Sequence, residues 1–234
     1  MTTIADRLSL AQQRITAAAT KSARTADEIQ LLAVSKTKPV TDILAAYAAG
    51  QRRFGENYVQ EGQEKVTALA EQYPDIEWHF IGPLQSNKSR IVAEHFDWMH
   101  TVDRAKIVQR LSAQRPANLA PLNVCIQINI SGEVSKSGIT DEASMLALAQ
   151  QITALPQLKL RGLMTIPSQD DELQLRHEFG QMQLLFHTLQ QHYADIDTLS
   201  MGMSQDLELA VEYGSTMVRI GSAIFGARDY SKKA

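Results

Sequence analysis

The feature that most constrains the fold is a regular alternation of short apolar runs with amphipathic helical patterns along the whole chain. Apolar runs without polar alternation indicate strands covered on both faces, and a helix between two such strands lets them lie parallel. Eight runs separated by helices within 234 residues match a (β/α)8 barrel better than an open sheet. A flavodoxin-like or Rossmann sheet is the structural alternative.

Turn residues and changes of period set the boundaries of the predicted elements. The predicted strands are Ile29–Ser35, Arg53–Gly55, Glu77–Gly82, Trp98–Val102, Leu122–Ile130, Leu158–Ile166, Thr198–Met201 and Met217–Ile220. The predicted helices after them are Val40–Ala49, Asn57–Tyr73, Ser86–His95, Asp103–Gln114, Asp141–Leu155, Asp171–Tyr193 and Gln205–Tyr213. An extra N-terminal helix is expected, with an apolar face formed by Ile4, Leu8, Ala11 and Ile15. No linker interrupts the pattern, so residues 1–234 are expected to form a single α/β domain, a TIM-type barrel.

Composition and charge restrict the class of function. The net charge of −3 gives no electrostatic footprint for nucleic acid, and no stretch reaches the roughly 20 apolar residues that a membrane span needs. Charged residues interrupt the first 22 residues, so we expect no export signal. The single cysteine, Cys125, lies in an apolar strand and is expected to be a buried, inert thiol in a reducing compartment. These features predict a cytoplasmic protein with no nucleic-acid or membrane partner.

Lys36 is the first candidate functional residue, because it stands where the first apolar strand ends. The run Leu31–Val34 stops at Ser35, and Pro39 then opens a helix. The carboxyl ends of parallel strands are where α/β folds place their chemistry. An amine beside apolar walls loses hydration, which favours its neutral, nucleophilic form, and Schiff-base formation with an aldehyde cofactor is the natural use. The alternative is a lysine that marks the exit of the strand into water.

Two turns near the end of the chain predict a phosphate site. The seventh strand leads into a turn that contains Gly202 and Ser204, and the eighth leads into Gly221 and Ser222. Barrels commonly bind phosphate after strands seven and eight, where glycine allows close backbone approach and serine hydroxyls donate hydrogen bonds. Ordinary turn chemistry is the alternative, since glycine and serine populate turns without any ligand.

Arg219 lies within the last predicted strand, on the face that it shares with Met217 and Gly221. An arginine directed into a barrel needs a partner. The ring nitrogen of a cofactor is one candidate, and a core carboxylate such as Glu56 or Glu208 is the other. Arginine keeps its proton, so it would hold a pyridine nitrogen unprotonated and weaken the cofactor as an electron sink. Transamination and decarboxylation would then be disfavoured.

Searches for other functional motifs give no match. The chain has no Gly-x-Gly-x-x-Gly, no phosphate-binding loop with Gly-Lys-Ser/Thr and no Gly-x-Ser-x-Gly. Its six histidines form no His-x-x-x-His pair, so a zinc site is not expected. His79 lies near a predicted strand end and could line a site, although a core histidine with satisfied hydrogen bonds is the commoner outcome.

Six blocks of the sequence resemble the pyridoxal phosphate homeostasis proteins. Together they span nearly the whole chain and occur in the family's order. The blocks are Leu32–Pro39, Phe54–Glu61, Trp78–Lys88, Gly162–Ile166, Ser200–Asp206 and Arg219–Gly226. The resemblance implies a (β/α)8 barrel like the amino-terminal domain of alanine racemases, the type III fold of pyridoxal phosphate enzymes.

The resemblance also implies how the cofactor is held. Pyridoxal 5′-phosphate would be bound to Lys36 as an internal aldimine, and Arg219 would face the pyridine nitrogen. The phosphate would be held by Ser204, Gly221 and Ser222. Asn57 and Met201 would lie near the ring. Lys38 and Lys136 are candidates for secondary or transfer sites, with solvated loop lysines as the alternative.

The function implied by the resemblance is homeostasis of vitamin B6 and of amino- and keto-acid pools, without robust catalysis. The partners would be pyridoxal phosphate, other B6 vitamers and transient acceptor enzymes. Alanine racemases use a second domain to supply a second base, and the chain is expected to lack it and to be a monomer. One alternative is a small pyridoxal phosphate enzyme, such as a racemase whose second base is His79 or Tyr58. Another is a phosphate-binding barrel without an aldimine.

Overall fold

The computed structural model describes residues 2–168 and 171–227. Its eight parallel strands follow one another in chain order around a closed barrel, and β8 pairs with β1. The strands are β1 Gln30–Val34, β2 Arg53–Glu56, β3 Glu77–Phe80, β4 Trp98–Val102, β5 Leu122–Ile128, β6 Leu158–Thr165, β7 Thr198–Ser200 and β8 Met217–Ile220. The predicted (β/α)8 barrel is therefore confirmed, and the open-sheet alternative is wrong.

Helices separate the strands as predicted, and most of their ends agree with the sequence to within two residues. They are α1 Ile4–Lys21, α2 Val40–Ala48, α3 Val59–Leu69, α4 Ser89–His95, α5 Ala105–Gln114, α6 Glu142–Thr153, α7 Glu172–His192, α8 Leu207–Glu212 and α9 Ser222–Phe225. α3 starts later than predicted because Tyr58 keeps an extended backbone. The part of the chain described here contains no helix both long enough and apolar enough to cross a membrane.

The side chains of each strand alternate between two apolar regions. The larger region lies between strands and helices and includes Leu31, Ala33 and Val218. Residues that alternate with these point into the barrel, where they form two small clusters. One cluster contains Leu32, Val34, Ile81 and Met217, and the other contains Trp98, Cys125 and Met164. Cys125 is fully buried, as predicted, and burial raises the pKa of its thiol, so the thiol stays protonated.

The extra helix α1 packs against α8, α9 and α2 on the outside of the barrel. Leu8, Ala11 and Ile15 are buried as predicted, whereas Ile4 is half-buried. The guanidinium of Arg14 on α1 donates two hydrogen bonds of 2.8 Å to the carboxylate of Glu208 on α8. The helix thus joins the two ends of the strand series through apolar packing and a bidentate ion pair.

Candidate functional site

The residues predicted to form a site follow neighbouring strands of the closed barrel. Lys36 follows β1, Asn57 follows β2, Ser204 follows β7, and Gly221 and Ser222 follow β8. Because the barrel brings β7, β8, β1 and β2 side by side in that order, these residues share one arc of its carboxyl-terminal edge. This is the edge at which barrels of this kind carry out their chemistry.

The last turn of the barrel lies directly against the segment that carries the half-buried Lys36. A Cβ atom added to Gly221 would come within 3.3 Å of the carbonyl oxygen of Val34. The amine of Lys38 donates hydrogen bonds to the carbonyl oxygens of Phe225 (3.0 Å) and Ala227 (2.9 Å), at the end of α9. The predicted Schiff-base segment and the predicted phosphate segment are therefore bonded to each other.

A buried ion cluster supports the backbone just before Lys36. The amine of Lys65 on α3 contacts the carboxylates of Glu56 (2.8 Å) and Glu61 (2.7 Å) and donates to the carbonyl oxygen of Ser35 (2.8 Å). The hydroxyl of Ser35 donates to Glu56 at 2.5 Å. Burial raises the pKa of the Glu56 carboxyl, although the Lys65 charge opposes that shift. Buried charges persist only when they are paired and hydrogen-bonded in this way.

Thr37 holds the backbone just after Lys36 in an uncommon conformation. Its φ of 62° lies in the left-handed region, which costs a β-branched residue about 1–2 kcal/mol. Its amide donates a 2.6 Å hydrogen bond to Glu61. The same carboxylate contacts Lys65, so one cluster fixes both flanks of Lys36. Strain of this kind is retained where surrounding contacts over-determine the geometry, as at binding sites.

The side chain of Asn57 presents a buried hydrogen-bond acceptor at the site. Its Oδ1 atom is buried and has no partner among the described residues. The backbone of Asn57 packs closely against Gly82, where an added Cβ would come within 2.0 Å of the Asn57 carbonyl oxygen. A buried acceptor without a donor is costly, so this atom fits a ligand that donates a hydrogen bond there.

Arg219 is almost fully buried, with 4% of its surface exposed. It donates hydrogen bonds to the Ser200 hydroxyl (2.9 Å) and to the carbonyl oxygen of Thr165 (2.8 Å). The alternative of a core carboxylate partner is wrong for both residues named: Glu56 faces outward to Lys65, and Glu208 pairs with Arg14 on the surface. Strand alternation explains the position of Glu56, because it alternates with the inward-facing position of Gly55.

The charge of Arg219 therefore lacks a hydrogen-bonded carboxylate among the described residues. Burial lowers its pKa to about 10, with partial compensation from Asp206, so the guanidinium stays charged near neutral pH. Neutral oxygens occupy two of its donors and leave other N–H groups for a ligand. A ring nitrogen or an anion at this position would complete the hydrogen bonding of the site.

The hydroxyl partner of Arg219 continues into a chain of polar contacts across the barrel. Ser200 Oγ lies 2.9 Å from His100 Nδ1, and His100 Nε2 lies 2.9 Å from His79 Nδ1. His79 Nε2 lies 2.8 Å from Glu77 Oε1. We call Glu77, His79, His100 and Ser200 the interior relay. Both nitrogens of His79 are occupied and its ring is fully buried, which confirms the prediction of a satisfied core histidine.

The turn after β7 contains Met201 and Gly202, two residues singled out in the sequence. Met201 is fully buried in the core between strands and helices, and its carbonyl oxygen accepts a 2.7 Å hydrogen bond from Ser215. Its proximity to a cofactor ring stays a prediction. Gly202 has a φ of 97°, and its carbonyl oxygen accepts a hydrogen bond from the Arg219 amide at 2.9 Å. The turn is thus tied directly to the strand that carries the arginine.

Ser204 and Ser222 are the hydroxyls predicted to bind phosphate. Ser204 is half-buried in the turn after β7, where the Asp206 carboxylate accepts a 2.5 Å hydrogen bond from the Met203 amide. Ser222 is exposed at the first position of α9. Both follow the carboxyl ends of strands, Ser204 after β7 and Ser222 after β8, and each remains a predicted phosphate ligand.

The two secondary lysines are partly buried and hydrogen-bonded. Lys38 is half-buried and bonded to the end of α9, as described above. Lys136 is also half-buried, and its amine contacts Glu133 at 2.6 Å and the carbonyl oxygen of Pro167 at 2.9 Å. Each amine anchors a segment at the carboxyl-terminal edge. Their use as secondary or transfer sites stays a prediction.

Sequence reasoning missed the residues that support the site. Lys65 lies outside the family blocks, and only its helical spacing of four residues from Glu61, the last residue of the second block, indicates that the two can meet. Ser200 and His100 are separated by 100 positions, so their contact depends on barrel closure. A polar residue in a strand predicted to be buried was the available signal for His100, since such residues need partners.

Comparison with known proteins defines the class to which this fold and site belong. Residues 11–229 match the family model described as alanine racemase, N-terminal domain. The pyridoxal phosphate homeostasis protein of Vibrio alginolyticus is 65% identical over 215 residues, which cover 90% of this chain and 91% of that protein. The protein of the same name from Escherichia coli K12 is 58% identical over the full length of both. The chain belongs to the family of pyridoxal phosphate homeostasis proteins.

Solved structures agree with this assignment. PipY from Synechococcus elongatus, solved with PLP bound, is 37% identical and has a TM-score of 0.79, with 95% of this chain and 100% of that chain covered. An alanine racemase from Clostridium difficile has a TM-score of 0.76 at 14% identity, with 97% of this chain and 58% of that chain covered. The second similarity concerns the fold alone.

Proposed function

We propose that this chain binds pyridoxal 5′-phosphate at the carboxyl-terminal edge of its barrel and acts in cofactor homeostasis. The observation that carries the proposal is the buried cation of Arg219, which keeps donors available on the strand next to the one that presents Lys36. The name of the relatives and the PLP bound to PipY support the same reading. Pyridoxal phosphate supplies an aldehyde, a pyridine ring and a phosphate, which match the three predicted parts of the site.

Lys36 would hold the cofactor covalently. Its amine would condense with the cofactor aldehyde, so that a C=N bond replaces the C=O bond and one water is released. Hydrolysis of that C=N bond would return the aldehyde and the lysine amine. The rigid backbone on both sides of Lys36 would limit the conformational entropy lost when this Schiff base forms.

The remaining predicted residues would hold the cofactor without covalent bonds. Ser204, Gly221 and Ser222 would bind the phosphate, and Arg219 would donate a hydrogen bond to the pyridine nitrogen. Asn57 would accept a hydrogen bond from a donor at the rim of the ring, because its Oδ1 has no other partner among the described residues. Met201 would contribute through its backbone, since its side chain lies in the outer core.

The charge of Arg219 supports carriage over catalysis. An arginine beside the pyridine nitrogen keeps that nitrogen unprotonated, which weakens the ring as an acceptor of electrons. A two-base racemase also needs a second acid–base group. Of the two candidates, His79 is fully buried with both nitrogens hydrogen-bonded, and Tyr58 is half-exposed. We therefore propose a cofactor carrier, with a racemase as the competing outcome of the tests.

Borohydride reduction tests the covalent anchor. The purified protein is loaded with pyridoxal phosphate, its visible absorbance is recorded, and the reduced protein is digested and mapped. We expect the visible band to disappear on reduction and the label to lie on Lys36. The Lys36→Ala variant should keep its circular dichroism and lose the label, whereas Lys136→Ala should keep both. A label on another lysine in the native protein would refute the anchor.

A turnover assay separates carriage from catalysis. Native protein and Lys36→Ala are incubated with single amino acids, with free pyridoxal phosphate as the reference. A carrier should not exceed the free cofactor. Racemisation well above that reference and absent from Lys36→Ala would establish the enzyme instead.

The proposal extends to partners and assembly. The carrier would exchange cofactor with other B6 vitamers in solution and with acceptor apoenzymes, and would act as one monomeric domain. In a first experiment, a membrane that passes only small molecules separates the loaded protein from an acceptor apoenzyme. Activation of the apoenzyme would then show that the cofactor is released without contact between the proteins. Faster activation when both proteins share a compartment would support direct transfer. The molar mass of the loaded protein, measured by light scattering, tests whether it is a monomer.

A further inference from the structure

The interior relay crosses the barrel from the amino-terminal end to the arginine of the site. Glu77 and His79 lie on β3, His100 lies on β4 and Ser200 lies on β7. The bond between His100 and Ser200 therefore spans the interior, and Ser200 passes the contact to Arg219 on β8. The two histidines and the serine are fully buried, whereas the Glu77 side chain is 37% exposed.

The direction of every hydrogen bond in the interior relay follows from its ends. An ionised Glu77 can only accept, so His79 must donate from Nε2 and, if neutral, accept at Nδ1. His100 must then donate from Nε2 and accept at Nδ1. Ser200 must donate to that nitrogen and is left to accept from Arg219, which can only donate. The donors and acceptors of the interior relay therefore match at every bond, from the Arg219 cation at one end to the Glu77 anion at the other.

The charge states needed for this arrangement agree with the surroundings. Burial lowers the pKa of His79, although Glu77 opposes the shift, and burial also lowers the pKa of His100 well below its ordinary value. Burial is the largest influence on Glu77 and opposes its ionisation, but the contacts with His79 and Arg53 together outweigh it, so its pKa is lowered. Arg53 contacts the same carboxylate at 3.1 Å. Neutral histidines between an anion and a cation are therefore expected near neutral pH.

A polar chain through a barrel interior requires an explanation. Barrels of this type usually fill the interior with branched apolar side chains, and buried polar networks are tolerated only when every member is satisfied. Here each bond leads to the next, and the last one holds a guanidinium that no carboxylate in the described residues orients. The network thus supplies the arginine with an acceptor of fixed direction.

We propose that the interior relay is a set of positioning residues that fixes the orientation of Arg219, and through it the affinity and spectrum of the bound cofactor. This inference rests on the proposed function for its cofactor-dependent part. It predicts that Glu77, at the opposite end of the barrel, affects a ligand that it does not touch.

Histidine ring NMR tests the relay without any cofactor. Long-range ¹⁵N–¹H correlation spectra distinguish the two neutral tautomers from the imidazolium. We expect His79 and His100 both to carry their proton on Nε2, and the Arg219 guanidinium to give signals protected from exchange. Ser200→Ala should remove that protection, and Ser200→Thr should retain it. A proton on Nδ1 of His100 in the native protein would reverse the chain and overturn the proposal.

Cofactor titration tests the effect on the site. Ser200→Ala should weaken pyridoxal phosphate binding between about twofold and about thirtyfold and shift the absorption maximum, as expected for substitutions within a coupled network. Ser200→Thr should restore both properties. Thr198→Ala is the matched control, because Thr198 lies on the same strand but bonds to Asp197, and it should change neither property. An unaltered spectrum and affinity in Ser200→Ala would overturn the proposal.

A third variant tests whether the interior relay acts by orienting Arg219 or only by filling the barrel interior. Glu77→Gln keeps an acceptor for His79 but removes the charge at the far end, so it should shift the absorption maximum while leaving the histidine tautomers unchanged. Unchanged absorption in this variant would also overturn the proposal. If native protein fails to take up pyridoxal phosphate, the proposed function fails, whereas the ring NMR still decides whether the relay orients Arg219.

Discussion

The charged residues buried near the site are stabilised in two different ways. Lys65 lies between two carboxylates and donates to a backbone carbonyl, which neutralises it locally. Arg219 has only neutral oxygens as hydrogen-bond partners among the described residues. The first arrangement supports structure, and the second leaves charge for a ligand. This difference separates a supporting lysine from the arginine proposed to bind the cofactor, although both side chains are buried.

The supporting role of Lys65 leads to a stability prediction. Lys65→Met should lower the free energy of unfolding by about 3 kcal/mol or more at neutral pH, because it leaves Glu56 buried without its cation. The double variant Lys65→Met/Glu56→Gln should lose less, since no buried charge remains. Urea unfolding measures both changes.

A matched exposed pair provides the control for that experiment. Arg90 and Glu94 form an ion pair on α4, and 65% of the Arg90 side chain is exposed. Arg90→Met should change the free energy of unfolding by no more than about 0.5 kcal/mol. Equal losses in Lys65→Met and Arg90→Met would contradict the assigned role of the buried cluster.

At the level of secondary structure, the sequence predicted most boundaries because apolar periodicity and turn residues agree there. All eight strands are observed within two residues of their predicted ends. The helix α9 was not predicted, because four residues are too few for a periodic pattern. The hydrogen-bond partners of Arg219 could not be predicted from the sequence either, because they depend on which strands face one another in the closed barrel.

The turn that follows the carboxyl end of β7 leads to a prediction about stability and cofactor binding. Gly202→Ala would place a Cβ 2.6 Å from that of Ala210 and force alanine into a left-handed backbone. The two effects should together lower the free energy of unfolding by about 3 kcal/mol. Binding of pyridoxal phosphate should weaken as well, because the Gly202 carbonyl bonds to the Arg219 amide.

Gly132 is the control for that substitution. Its φ of 67° is also left-handed, but an added Cβ would have no neighbour within 4 Å. Gly132→Ala should therefore cost only the backbone strain of about 1 kcal/mol. If both variants unfold at the same denaturant concentration, the close approach to Ala210 is not important.

For the whole molecule, buried neutral histidines predict how stability depends on pH. The pKa values of His79 and His100 are lowered by burial, so below about pH 6.5 the unfolded chain binds protons that the folded chain does not. Stability should therefore fall as pH falls through that value, by up to about 1.4 kcal/mol per pH unit for each histidine. Urea unfolding at a series of pH values measures the slope.

Variants distinguish the contribution of the histidines to this pH dependence from that of the buried carboxyl groups. Burial raises the pKa values of Glu56, Asp97 and Asp206, which contributes a slope of opposite sign. Comparison with His100→Gln isolates the histidine, since that variant should have a shallower slope between about pH 5 and about pH 6.5. His187→Gln, on an exposed position of α7, should leave the slope unchanged. An unchanged slope in His100→Gln would mean that folding does not lower the pKa of His100.

Closure of the barrel by β8 and β1 predicts an order of events during folding. The site combines residues from the first and last strands, and its two segments are bonded through Lys38 and Phe225, which are 187 positions apart in the chain. Contacts of such high sequence separation form late, because the loop between them must first be closed. A nascent chain would thus lack the candidate cofactor site until β8 has been synthesised and docked. Uptake of pyridoxal phosphate would therefore report completion of the barrel.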